Sequence, residues 1–190
     1  MFGANRLPLR YNHARIVTIS YAAPSAPFGT ILWSSMQAEL MAEAIRLSIE
    51  NVESGRGGPF AALVAKDGKV IGRGTNQVTL LKDPSAHAEM LAVRQACKAL
   101  DDFQLHGCEI YTTCEPCPMC LGVIYWARPD RVYYANSAAD AAAIGFDDSR
   151  IYYQISVPHA QRSIPMVQMM REEALAAFRA WQRKPDKILY

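Results

Sequence analysis

TCEPCPMC, residues Thr113 to Cys120, is the stretch on which the reading of this chain turns. Cys117 and Cys120 stand three positions apart, and Pro118 between them suits the first turn of a helix, where its missing N–H is not needed. That spacing puts both sulfurs on one face of a helix N-terminus. Unpaired N–H groups and the helix dipole there favour the thiolate, the form that binds a metal ion. Two thiolates need company, and the expected third ligand is His87 of the triplet His87-Ala88-Glu89. One histidine and two cysteines leave the fourth tetrahedral position of a zinc ion open to water, which marks a catalytic site rather than a structural one. Glu89 is then the expected proton-transferring group beside that water.

Duller readings of the motif exist. A CxxC pair serves as a redox couple or as half of a closed structural zinc site, and Cys114 extends the pattern to CxxCxxC. Neither reading uses the HAE triplet. H-x-E followed about thirty positions later by P-C-x-x-C is the signature of zinc-dependent nucleobase deaminases, so the catalytic reading is preferred and Cys114 is read as a strand-end residue or one that supports the ligands from behind.

Around this motif the chain reads as regular alternation. Leu40, Met41, Ala44, Ile45, Leu47 and Val52 recur at helical spacing behind Ser34 or Ser35, and Gly55 ends the run. FAALVA and KVIGRGT flank Asp67-Gly68, a strong signal for a two-residue hairpin. Pro84 and Ser85 open a second helix, which places His87 in its first turn. CEIYTT, Cys108 to Thr113, is a buried strand entering the cysteine helix, and RVYYA, Arg131 to Ala135, is the next strand. A mixed sheet with helices on both faces follows, its site formed where helices begin at the strand ends. Beyond Ser149 come IYYQI, a connector punctuated by Pro158 and Pro165, and a helix near Arg171 to Lys184 with Ala174, Leu175, Phe178 and Trp181 on one face.

Length and composition set the outer bounds. At 190 residues and 21.1 kDa the chain is most simply one globular domain with a good-sized core, and no repeat is visible. Its 20 basic and 18 acidic residues give a net charge of +2 without a basic block, which argues against nucleic acid as the main partner. Five cysteines, three of them around the metal motif, fit a reducing compartment such as the cytoplasm better than a disulfide framework. No apolar run approaches membrane-spanning length. Residues 1–34 read as a loosely ordered extension. Ile16 to Ala23, behind Arg6, Arg10 and Arg15, is too short and too broken by Thr18 and Ser20 for a signal peptide. The domain proper runs over 35–190.

Taken together, GGPF at Gly57 to Phe60, Asn76, DPSAHAE at Asp83 to Glu89, CEPCPMCLG at Cys114 to Gly122, IYWARP at Ile124 to Pro129 and IGFDDS at Ile144 to Ser149 resemble the bacterial guanine deaminases of the cytidine deaminase superfamily. The resemblance runs from about Met36 to Tyr190, leaving the N-terminal extension without a counterpart, and Ser85 stands where the family usually has Thr. It implies the cytidine deaminase-like α/β/α layered fold with a mixed five-stranded sheet. It also implies one zinc per chain on His87, Cys117 and Cys120, and hydrolysis of guanine to xanthine and ammonia. Glu89 would carry the proton from water to ring nitrogen N3. Asp148 would bind the guanine edge and help protonate the departing amine, and Asn76, Phe60 and Trp126 would line the pocket with His87. A homodimer is implied as well, in which the segment 157–190 is swapped between subunits and Tyr190 closes the partner's site. The residues alone leave Phe60 and Trp126 readable as core, Asn76 as a turn residue and Asp148 as a helix cap. Rival functions are a deaminase of another base, a nucleoside or tRNA adenosine, and a non-catalytic zinc or RNA-binding module, which would have no use for Glu89.

Overall fold

A computed structural model describes residues 34–189; the expectations placed on residues 1–33 and on Tyr190 lie outside it. Helix α1 (Ser35–Glu53) starts at Ser34, whose hydroxyl accepts from the Gln37 N–H while the Gln37 side chain accepts from the Ser34 N–H, a reciprocal capping box. Its buried stripe is Leu40, Ala44, Ser48 and Asn51, one residue per turn, so two polar groups are carried inward. Ile45 and Val52, expected to pack, face outward.

Strands β1 (Ala61–Lys66) and β2 (Lys69–Thr75) form an antiparallel hairpin with Lys66 opposite Lys69. Asp67 and Gly68 both take positive φ, at 49° and 74°, as the tightest hairpin turn requires. A short helix α2 (Val78–Leu81) that the sequence pattern does not announce leads into α3 (Ala88–Leu100). Then come β3 (Cys108–Cys114), α4 (Pro118–Ala127) and β4 (Arg131–Asn136). The sheet order is β2-β1-β3-β4, with β1 antiparallel to both neighbours and β3 parallel to β4.

Because side chains alternate along a strand, the sheet has two apolar faces. Ala62, Val64 and Ile110 pack with Ala88, Ala92, Ala96 and Ile124 beneath α3 and α4. On the other face Leu63, Ala65, Tyr111 and Tyr133 meet Leu40 and Ala44 of α1. The α/β/α layering is therefore as expected, but the described residues form four strands where five were anticipated. The reason is local. Ser137 caps a helix directly after β4, exchanging bonds with Asp140, and the alanine run behind it becomes α5 (Ala138–Ala143). IYYQI continues as α6 (Ser149–Ser156), and a connector carrying Pro158 and Pro165 separates it from α7 (Arg171–Arg183). Neither α6 nor α7 has a buried residue. Among the described residues no helix is long and apolar enough to cross a membrane.

Candidate metal centre and pocket

The parallel pair β3/β4 and the helix stacked on β1 and β2 bring two helix N-termini together. His87 is the N-cap of α3 rather than a first-turn residue, with extended backbone (φ −73°, ψ 154°). Cys117 is the N-cap of α4, Pro118 occupies its first position, and Cys120 lies in its first turn. The His87 Nδ1 is 3.6 Å from the Cys117 Sγ and 3.5 Å from the Cys120 Sγ. Tetrahedral zinc, with bonds of about 2.3 Å to sulfur and about 2.0–2.1 Å to nitrogen, separates such atoms by about 3.6 Å. The three donors thus already stand at zinc-binding distances, and they are the metal-capable group found among the described residues.

The electrostatics of the pair point the same way. The Cys117 thiol is held down to about 4 by a hydrogen bond from Cys120 and by the His87 ring, against burial. Cys120 is pushed up by that same bond and by burial, and His87 is raised by its bond to Cys117. Without a metal the proton therefore stays with Cys120 rather than Cys117, and a bound dication would displace it. Cys114 stays outside the group. It ends β3, its Sγ lies 3.7 Å from the Ser137 carbonyl, and burial pushes its thiol up to about 11, the state of an inert structural cysteine.

Glu89, in the first turn of α3, stands beside the donors rather than among them. Only 6% exposed, it has Oε2 3.4 Å from the Cys120 Sγ and accepts from the Thr112 hydroxyl at 3.4 Å. Burial raises its pKa, so it holds a proton more readily than an exposed glutamate. A cavity of about 400 Å³ opens in front of it, lined by Phe60, Asn76, His87, Cys117 and Asp148 as well. Asp147 and Asp148 are neighbours with different duties. Hydrogen bonding from Ser149, its side chain first and then its N–H, lowers the Asp147 pKa, whereas Asp148 occupies the N-cap position of α6 without a side-chain capping bond. Burial, and then the charge of Cys117, raise the Asp148 pKa.

Phe60 meets Phe146 edge to face, with ring centroids 4.9 Å apart. Phe146 and Glu115, which accepts from the Ala138 N–H, also line the cavity, and the sequence pattern marks neither as a site residue. Phe146 stands within GFDDS, but only folding shows that its ring reaches Phe60. Trp126 is not brought to this cavity within the single chain: it is 60% exposed and lies with Val93, Phe103 and Val123 on a separate surface. His106 is paired with Gln104, and neither it nor His159 joins the metal group.

Residues 34–136 match the cytidine and deoxycytidylate deaminase zinc-binding region. Guanine deaminase of Bacillus subtilis is 52% identical over 147 residues, 77% of this chain and 94% of that protein. A crystal structure of guanine deaminase from the same organism superposes with a TM-score of 0.78 at 50% identity, covering 80% of this chain and 98% of the other. A tRNA-specific adenosine deaminase of Aquifex aeolicus is 44% identical over 77 residues, 40% of this chain and 51% of that protein.

Proposed function

Given that the chain belongs to the cytidine and deoxycytidylate deaminase zinc-binding family, we propose that it is a zinc-dependent guanine deaminase, converting guanine and water to xanthine and ammonia. The observation that carries this reading is a pair of carboxylates facing one cavity beside three zinc donors. Glu89 is buried and inclined to hold a proton, while Asp148 is free of capping duty. Near-complete coverage of a guanine deaminase supports the choice of base, where the tRNA deaminase matches only part of the chain.

His87, Cys117 and Cys120 would hold the zinc ion, which would supply a water molecule with its pKa lowered towards neutrality. Glu89 takes a proton from that water and delivers it to N3 of guanine as the water oxygen adds to C2, removing the aromatic resistance to addition. Collapse then forms the C2 carbonyl and breaks the bond between C2 and the amino nitrogen, and the proton released by the added hydroxyl passes through a carboxylate to that nitrogen, which leaves as ammonia. Asp148, which lines the cavity, would accept from N1–H and from the 2-amino group and, once the added hydroxyl has released its proton to it, would pass that proton to the amine. Phe60 supplies a flat apolar surface for the base, and Asn76 a polar edge.

The C-terminal segment supports a homodimer. Val167, Met169, Phe178 and Leu189 are more than two-thirds exposed, an apolar surface that monomers rarely carry, and a second copy buries it if 157–190 is exchanged. Tyr190 of one subunit would then close the cavity of the other. Parallel measurement of ammonia release from guanine, guanosine, cytosine and adenine tests the substrate. Guanine is expected to react alone, and comparable turnover of cytosine or adenine would overturn the assignment.

A further inference from the structure

Behind the cavity wall lies a residue that the reaction does not use. Asn51, near the end of α1, is fully buried, and its Nδ2 donates to two main-chain carbonyls at once: that of Gly58 at 2.9 Å and that of Asn76 at 2.8 Å. Both of these residues line the cavity, and Asn51 does not. The Gly58 carbonyl also accepts from Phe60, and the Phe60 carbonyl accepts from Asn76, so the two walls that present Phe60 and Asn76 are joined through one amide. Space at this junction is tight: a Cβ on Gly57 would lie 2.0 Å from the Asn76 carbonyl oxygen.

Two facts give this junction a direction. First, the Asn51 Oδ1 is buried without a hydrogen-bond partner, an uncompensated polar atom that persists because both donors of the amide are committed to the walls. Second, the Asn76 Oδ1 accepts from the Gly58 and Val78 N–H groups at 3.4 Å each. Backbone N–H groups cannot face an amide nitrogen, so they fix which way the Asn76 side chain is turned. Its oxygen is engaged by the protein, and its nitrogen, a donor only, is left for the cavity.

We propose that Asn51 is a positioning residue for substrate selection: by tying Gly58 to Asn76 it holds the Asn76 amide donor-outward, so that the cavity takes a purine offering an acceptor at that edge and refuses one offering a second donor. This rests on the reading of the cavity as a guanine site. Guanine and 2,6-diaminopurine share the reacting 2-amino group and differ in bearing a carbonyl or an amino group at C6, so they are the discriminating pair.

The test compares wild type with Asn51→Ala and Asn51→Ser, at a temperature well below every melting point and with zinc per chain measured. The readouts are kcat and KM for both purines, and guanine affinity by calorimetry in the Glu89→Gln background, where turnover is suppressed. Asn51→Ala is expected to raise KM and Kd for guanine at least tenfold and to narrow the preference for guanine at least tenfold. Asn51→Ser, whose hydroxyl can donate to one carbonyl, recovers part of both and serves alone if the alanine variant does not fold. A lowered melting point with KM, Kd and preference all as in wild type would overturn the inference, leaving Asn51 a structural tie. A wild type that neither binds nor turns over guanine would instead overturn the functional reading on which the inference stands.

Discussion

Gly74→Ala reaches the site through a single packing contact between strand and helix. Strand β2 packs so closely on α3 that a Cβ at Gly74 would lie 2.0 Å from the Ala88 carbonyl oxygen and 2.7 Å from the Ala92 nitrogen. Restoring an ordinary contact of 3.4 Å moves helix and strand apart by about 1.4 Å, at the turn that has His87 just before it and Glu89 within it. Overpacking of this kind costs roughly 1–3 kcal/mol, or about 2–12 °C of melting temperature for a domain of this size. The catalytic loss should be larger in proportion, because reacting groups must hold position to about 0.5 Å and a displacement of about 1 Å costs on the order of a hundredfold. Thermal unfolding, zinc content and kcat/KM for guanine measure the three effects. Gly122→Ala is the control, since its methyl would meet nothing within 4 Å and replaces glycine inside a helix, so stability should hold or rise. Wild-type kcat/KM and melting temperature in Gly74→Ala would refute the claim that helix position sets the site.

Other outcomes rest on the same geometry. Glu89→Gln keeps shape but loses the proton carrier, so turnover should fall by roughly a hundredfold to ten-thousandfold with zinc retained; near-normal kcat would assign the proton transfer elsewhere. Cys117→Ala should lose zinc and Cys114→Ala should keep it, as metal analysis of the purified variants would show. Zinc should also be lost on acidification, because protons compete for all three donors: Cys120, pushed up by its bond to Cys117 and by burial, takes a proton most readily, the His87 ring, raised by its bond to Cys117, follows, and the depressed Cys117 thiolate yields only near its value of about 4. A chelator titration that strips zinc more easily at alkaline than at acid pH would contradict this order. Removal of Lys187 to Tyr190 should spare folding and zinc but lower activity severely. Mixing that chain with Glu89→Gln should restore activity if tails close sites in trans; no recovery despite demonstrated subunit exchange would exclude that arrangement.

Much of the site was legible in the sequence because its chemistry is carried by short spacings. Two cysteines three apart at a proline-started helix, and a histidine two before a glutamate, fix donor types and local geometry before any tertiary contact forms. The Asp67-Gly68 turn and the Ser34 cap are equally local, and each stands where the pattern placed it. Trp126, Ile45 and the fifth strand were not decided this way. Whether an apolar residue is inside depends on what packs against its helix face, and whether a segment pairs depends on which edge it can reach after the turns before it.

What the sequence determined by itself is the donor group His87, Cys117 and Cys120, the glutamate two positions beyond the histidine and the order of elements that present them. Tertiary structure alone decided what surrounds that group. Asn51 and Asn76 are twenty-five positions apart, and nothing in their spacing marks one as the support of the other. Glu89 and Thr112 meet across twenty-three positions, and the burial that raises the glutamate pKa is a property of the assembled layers. Local chemistry is written in neighbours along the chain, whereas burial and orientation arise only when distant segments exclude water together, and it is these that turn a zinc-binding pattern into a selective pocket.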